Sequence, residues 1–511
     1  MLLERSAGIL LHPTSLPSRG GIGDLGPEAH AFADFLAAAR QGLWQVLPLS
    51  PPDPDNSPYS AISAFAGNPL LISLERLAEH GWIGQDRVQT LPPGAEAPRN
   101  RIDFAEVKAF KLPLLRQAAQ NFLERSDSGL RRFADFKRES AWWLEDFVLF
   151  AVMRQVHAGA PWSSWPRELA RREPEGLHKF GLEHQRELEA ERAIQFAFFE
   201  QWGALRHYCA QRGIRIVGDV AIFVNYDCAD VWRNPDLFYL DENLRPTVVA
   251  GVPPDAFSAT GQRWGNPLYR WEACQAQGYQ WWAQRIAWAL RTCDVLRLDH
   301  FRGFESYWEI PASEPTAVHG CWRKGPQDDF FKVLRDRLGD LPFVAEDLGM
   351  ITAEVHALRD RLGIPGMKVL QFAFGDPGAH IYLPHNFAPN CVVYTGTHDN
   401  DTALGWWESG ASKEERSHAQ AYLGTLEGEG GISWAFIRAA FASVARMAIV
   451  PLQDVLSLGS EARMNTPSRI DGNWGWRFAA GALRGELAEK LAALTSVCDR
   501  ASAISNGTLT G

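Results

Sequence analysis

Three acids in this chain stand at or just beyond the end of short apolar runs. Asp299 closes Val295-Leu296-Arg297-Leu298-Asp299 and precedes His300; Glu346 follows Phe343-Val344-Ala345; Asp399 follows Cys391-Val392-Val393-Tyr394, within Thr397-His398-Asp399-Asn400. The runs are too apolar for surface strands and too short for helices, which is the pattern of buried parallel strands. In an eight-stranded barrel the side chains at the C-terminal strand ends face the mouth, where catalysis occurs. Three acids at three such ends would converge. The plainer reading makes each acid an N-cap of the following helix, a position that favours Asp. That reading suits any one acid and weakens for three at matching strand ends.

Arg297, two residues before Asp299, favours a charged carboxylate able to attack or to stabilise a cation; the alternative is an Arg-Asp pair that ties two strands together. Apolar neighbours of Glu346 desolvate its carboxyl and raise its pKa toward the range of a proton donor. Asp347 lies beside it, and the residues alone leave open which of the two faces inward. Asp399, with His398, Asn400 and Asp401, offers hydrogen bonds for sugar hydroxyls or for a metal. A metal-dependent hydrolase could recruit His12, His300 and His398 with Asp219, Asp299 and Asp399, but no His-x-His or His-Glu-x-x-His spacing occurs, so carboxylate chemistry is the stronger reading. Twenty Trp residues tilt the substrate toward carbohydrate, because flat aromatic faces cover pyranose rings while polar neighbours bond the hydroxyls. Trp142, Trp143, Trp281 and Trp282 lie in helical patterns and read as core. Trp264 lies in the Gly/Pro-punctuated segment 251–267, an active-site lid or a structural Ω-loop. Tyr59, in Asn56-Ser57-Pro58-Tyr59-Ser60, is a loop aromatic placed to touch a long ligand or to pack beneath it.

Strand-like and helix-like segments alternate along the chain, as expected for a parallel sheet with crossover helices. Eight strands are expected, at 8–12, 43–49, 214–219, 295–299, 343–346, 367–372, 391–395 and 448–452. Helices are expected at 27–40, 142–155, 190–212, 280–291, 329–338 and 353–362. The long interval after the second strand predicts a mainly helical insertion at 50–206. A second insertion at 224–280 carries the lid segment. The expected architecture is an α/β fold, a (β/α)8 TIM barrel over 1–502 interrupted by these two insertions, with a frayed tail at 503–511. With 511 residues and 46% hydrophobic content the chain can bury a large core. A net charge of −10 and the lack of a basic stripe argue against nucleic acid. Seven scattered cysteines without a Cys-x-x-Cys pair suit a reducing cytoplasm. No span of membrane length and no signal-peptide pattern occur, so a soluble, unprocessed protein is expected.

Taken together, His12-Pro13-Thr14-Ser15-Leu16, Ser57-Pro58-Tyr59 with Ser63-Ala64-Phe65-Ala66-Gly67-Asn68-Pro69, the loop 251–269, Arg297-Leu298-Asp299-His300-Phe301-Arg302-Gly303, Ala345-Glu346-Asp347-Leu348-Gly349, Gly396-Thr397-His398-Asp399-Asn400 and Met464-Asn465-Thr466-Pro467 resemble the amylomaltases. These are 4-α-glucanotransferases of glycoside hydrolase family 77, in the α-amylase superfamily. The resemblance implies retaining transfer of α-1,4-glucan segments between maltooligosaccharides, with Asp299 as nucleophile, Glu346 as acid/base and Asp399 as the carboxylate that binds and distorts the sugar. It implies substrate contacts at Tyr59, Asp219, Asp255, Phe257, Trp264, Arg297, His300, Phe372, Asp376, His398 and Asn465, with Tyr59 linked to glucan binding away from the cleavage point. It implies no metal and no organic cofactor, and a monomer is expected. Cys228 stands where members of the family commonly carry Ser, and Ala256 varies within the loop. Two carboxyls about 5 to 5.5 Å apart would serve a retaining mechanism. A hydrolase of the same superfamily is the second reading, and a non-catalytic glucan-binding protein the third.

Overall fold

The computed structural model describes residues 4–89, 100–125, 128–254, 258–375, 377–424, 430–469 and 471–501. Eight parallel strands close a barrel: β1 (Ser6–Leu10), β2 (Leu43–Gln45), β3 (Arg215–Ala221), β6 (Val295–Asp299), β9 (Phe343–Ala345), β10 (Gly366–Val369), β11 (Cys391–Tyr394) and β12 (Met447–Pro451). The ring runs β1-β12-β11-β10-β9-β6-β3-β2. These are the eight strands expected from the sequence. They read as apolar runs because they are buried on both faces. Gly8 shows how tightly they approach, since a Cβ there would lie 2.4 Å from that of Leu43 on the neighbouring strand.

Between β2 and β3 the chain builds helices that include Leu74–Glu79, Phe104–Leu123, Ser128–Val156 and Gln185–Gln211. Trp143, Phe147, Phe150 and Met153 form a buried face on the third of these, as their spacing predicts. Trp142 does not follow the expectation of burial. It is 40% exposed, because its neighbour Trp143 occupies the inward position on the helix. The helical insertion and the barrel share one continuous hydrophobic core. Polar pins cross the seam, with Trp202 Nε1 donating to Thr292 O and Trp288 Nε1 donating to Phe65 O, each at 2.9 Å.

The segment around Trp264 is not an irregular loop throughout. It forms a hairpin, β4 (Val248–Val252) and β5 (Gln262–Pro267), joined by β7 (Ser306–Pro311) and β8 (Cys321–Lys324) in an antiparallel sheet ordered β5-β4-β7-β8. Asp255, Ala256, Phe257 and Asp376 lie outside the described residues, as does the expected tail 503–511. Cys228, the departure from the usual Ser, is buried, and its Sγ accepts the Val231 N–H at 3.4 Å as N-cap of the helix Ala229–Arg233. It fills the capping role a Ser would fill.

At the opposite end from the carboxylates, Arg500 fastens the last described residues to the barrel floor. Its guanidinium donates to the carbonyls of Phe441 (2.6 Å), Ser6 (3.1 Å), Arg446 (3.2 Å), Ser443 (3.0 Å) and Ala445 (2.8 Å). Burial, with the charge of Arg5, lowers its pKa to about 10. Arg500→Met keeps much of the volume and removes these hydrogen bonds, while Arg5 still donates to the carbonyls of Phe441, Ser443 and Ala445 and the Ser6 N–H to that of Arg446, so the loss is about 1 kcal/mol for each net hydrogen bond not replaced. We expect a loss of about 1–2 kcal/mol in urea unfolding; an unchanged midpoint would show that Arg5 alone holds these carbonyls.

Candidate active site

Register brings the acids together. Asp219 pairs with Arg297 and Ala221 with Asp299 across β3 and β6, and Leu298 pairs with Ala345 across β6 and β9. Asp219, Arg297, Asp299 and Glu346 therefore stand side by side on three adjacent strands. Arg297 Nη1 donates to both Asp219 oxygens, at 2.9 and 2.7 Å, and its Nη2 lies 2.8 Å from Asp299 Oδ1. One buried guanidinium thus holds two carboxylates. Burial works against the charge of Arg297, but Asp219 and Asp299 outweigh it and push its pKa well above the ordinary value. Burial raises Asp219, with Arg297 opposing.

Glu346, not Asp347, faces the mouth. Its Oε2 accepts the backbone N–H of His300 and its Oε1 that of Leu348, both at 2.8 Å. His300 reaches Glu346 from a left-handed backbone, φ +51°, a conformation unusual for a non-glycine residue and often kept at functional sites. Burial, then the charge of Asp299, raises the Glu346 carboxyl to about 7; Arg297 and the two N–H donors oppose the shift. Asp347 points away from the mouth: its Oδ1 accepts the Met367 N–H at 2.7 Å, and Arg359 pairs with its Oδ2.

Asp399 arrives on the loop after β11. His398 Nε2 lies 3.3 Å from its Oδ2, and Asn465 Nδ2 donates to its Oδ1 at 2.6 Å. Arg463 fixes both loops by donating to the carbonyls of Asp399 (2.6 Å) and Asn465 (2.7 Å). Burial pushes the Asp399 carboxyl up, but the charge and hydrogen bond of His398, with Asn465 and Arg297, hold it well below the usual range. Burial likewise opposes a charged His398, and Asp399 outweighs it, so the His398 pKa is raised. Asn400 and Asp401 are tied into the loop. Asn400 Oδ1 accepts from Thr397 N and Oγ1, both at 2.9 Å, and Asp401 is engaged by Gln371 and Ser460. They shape the loop that presents Asp399.

The expectation that Tyr59 lies away from the cleavage point is corrected. Its hydroxyl donates to Asp219 Oδ2 at 2.8 Å, and its ring stacks on His398 at 5.0 Å. The insertion loop carries it back over the barrel mouth, where it covers the Asp219–Arg297 pair. Trp264 is 39% exposed on β5, its ring edge-on to His300 at 4.9 Å. Phe372, exposed beside Tyr382, sits in the 3-10 turn Leu370–Ala373 that follows β10. That turn ends the strand three residues earlier than expected.

Two site residues were not singled out from the sequence. Trp474 lies 6.0 Å from the Tyr59 ring and 5.9 Å from His398; its setting in Gly472-Asn473-Trp474-Gly475, a glycine-flanked aromatic, was the available signal. Arg463, next to the Met464-Asn465-Thr466-Pro467 motif, had none. A metal site is not favoured by this geometry, because Arg297 already supplies the cation between Asp219 and Asp299. Among the described residues no three His, Cys, Asp or Glu side chains cluster as ligands.

Comparison with known proteins gives a consistent picture. Residues 11–482 match the glycoside hydrolase family 77 model described as 4-alpha-glucanotransferase. The 4-alpha-glucanotransferase of Thermus thermophilus is 48% identical over 507 residues, covering 98% of this chain and all of that one. The chloroplastic/amyloplastic 4-alpha-glucanotransferase of Solanum tuberosum is 44% identical, over 93% of this chain and 82% of its own length. Among solved structures, the amylomaltase from Streptococcus agalactiae in complex with acarbose superposes with a TM-score of 0.93 at 36% identity, covering 98% of this chain and 100% of that chain.

Proposed function

This chain belongs to the 4-α-glucanotransferase family, glycoside hydrolase family 77, and we propose that it moves α-1,4-glucan segments between maltodextrins by double displacement at Asp299 and Glu346. The observation that carries the reading is a shared anchor: the backbone N–H of His300, the residue after Asp299, holds the Glu346 carboxyl at 2.8 Å. An attacking carboxylate and a proton-donating carboxyl are thereby fixed relative to one another on neighbouring strands, the arrangement that retaining glycoside chemistry needs.

In the first step an Asp299 oxygen bonds to the anomeric carbon, the glycosidic bond breaks, and the Glu346 proton passes to the departing 4-oxygen. In the second, Glu346 takes the proton from the 4-hydroxyl of an incoming glucan, whose oxygen displaces Asp299. Two inversions return the α-linkage. Asp399, kept charged by His398 and Asn465, hydrogen-bonds the ring hydroxyls as the sugar flattens toward the oxocarbenium state. Arg297 steadies Asp299, Tyr59 and His398 wall the same subsite, and Trp264 covers the His300 side, where it helps exclude water. Asp255, Phe257, Phe372 and Asp376 belong to this reading as further substrate contacts. So does the division into a catalytic barrel, 1–502, interrupted by 50–206 and 224–280. A cytoplasmic location is also part of it; among the described residues no helix is long and apolar enough to cross a membrane.

Incubation with maltotriose tests the reading. Glucose plus a ladder of longer maltodextrins, at constant total reducing ends, is the expected outcome. A steady rise in reducing ends would instead make the protein a hydrolase. The pH dependence follows with its sign. A general acid must carry its proton in the free enzyme, so activity is present below the Glu346 pKa of about 7 and is lost as pH rises through it. We expect kcat/KM to fall about tenfold per pH unit on the alkaline side. A profile flat between about pH 6 and about pH 9 would remove Glu346 as the acid.

A further inference from the structure

A cavity of about 510 Å³ lies outside the barrel mouth, between the helix Pro27–Ala38 and the insertion helices Leu74–Glu79, Phe104–Leu123, Ser128–Val156 and Gln185–Gln211. None of the proposed site residues lines it, and its size is that of a small-molecule pocket. Its wall is apolar and rigid. Trp82 stacks on Phe122 with ring centroids 3.9 Å apart, and Phe196 and Leu77 continue the surface. Among the described residues that line it, Arg76, Arg125 and Arg132 face one acid, Glu200. That is notable in a chain of net charge −10.

The polar groups indicate what it would not hold. The Gln201 amide is tied to Ser73 at both ends, accepting its N–H at 2.7 Å and donating to its carbonyl at 3.1 Å. His30 and His80 each spend Nδ1 on a backbone carbonyl. A glucan, which needs many neutral hydrogen bonds, has few partners here. Arg125 Nη1 donates to the His80 carbonyl at 2.6 Å, and the ion pairs of the other two arginines, Arg132 with Glu200 at 3.2 Å and Arg76 with Glu79 at 2.8 Å, involve partly exposed side chains that water screens. A better-placed anion can displace such pairs.

We propose that this cavity is a second ligand site, separate from the glucan cleft, for a small organic anion: an apolar, ring-sized body against Trp82 and Phe196, with its carboxylate, phosphate or sulfonate on the arginines. The probe is 8-anilinonaphthalene-1-sulfonate, titrated by fluorescence and calorimetry into the full chain, beside its uncharged relative N-phenyl-1-naphthylamine. One saturable site for the sulfonate is expected, with at least tenfold weaker binding of the neutral compound. Two variants locate it. Arg76→Gln/Arg132→Gln removes charge at a partly exposed and an exposed position, and Ala204→Phe places a ring at the solvent-facing rim; each should weaken sulfonate binding at least tenfold and leave maltotriose disproportionation unchanged. The proposal is overturned if no saturable binding is seen, if the neutral compound binds as tightly, or if both variants bind like the parent.

Discussion

Asp299→Asn lowers maltotriose disproportionation by about 10⁴-fold or more, while the protein remains folded. The amide matches the carboxylate in shape but is neutral, and its oxygen is too weak a nucleophile to hold the anomeric carbon in a stable covalent bond. Stability is spared because Arg297 is not orphaned; it keeps both hydrogen bonds to Asp219, at 2.9 and 2.7 Å. We expect the melting temperature to stay within about 2 °C of the parent. A truncated side chain provides a sharper readout than lost activity. In Asp299→Ala, azide can occupy the vacated space, attack an α-glucosyl fluoride donor once, and release fluoride, giving the β-glucosyl azide. One inversion in place of two is a stereochemical record of which carboxylate was removed. An α-configured azide, or near-parental turnover in folded Asp299→Asn, would transfer the nucleophile's role to another group.

The sequence showed the staves of the barrel well, and for a physical reason. Strands such as Cys391–Tyr394 are buried on both faces and carry no alternation to confuse with an exposed sheet. The same double burial concealed the parity of β9. Phe343 and Val344 are both apolar, so nothing in the run says whether Glu346 or Asp347 points inward; the choice came from the matching motif, and the geometry agrees, with Asp347 bound to Met367 and Arg359 instead. The side sheet was illegible. Every residue of β8, Cys321–Lys324, is exposed, β5 contains Gly265 and Pro267, and both are edge strands that owe their form to a single partner, the strand before each in sequence. Asn400 and Asp401 show that loop-shaping and ligand-binding polar residues look alike in sequence until their hydrogen bonds are seen. Tyr59 and Trp474 meet over His398 across more than four hundred residues of chain, and local pattern carries no trace of such a meeting.

Glu346→Ala should separate the two half-reactions. With maltotriose, whose leaving group is a poorly acidic sugar hydroxyl, loss of the proton donor lowers turnover by about 10³- to 10⁴-fold. With α-glucosyl fluoride the leaving group departs without a proton, so Asp299 still attacks and the covalent intermediate forms at a rate within about tenfold of the parent. It then accumulates, because no base deprotonates the acceptor hydroxyl, and mass spectrometry of the intact chain should register one glucosyl unit. Azide needs no deprotonation. Its attack on the intermediate adds a second inversion and yields the α-glucosyl azide, the opposite anomer to that from Asp299→Ala. The pH profile must change as well: the alkaline limb near 7 that burial and the Asp299 charge impose on Glu346 should vanish when fluoride is the donor. If fluoride and maltotriose lose activity equally, or the limb persists, Glu346 acts through the shape of the site and the proton comes from elsewhere.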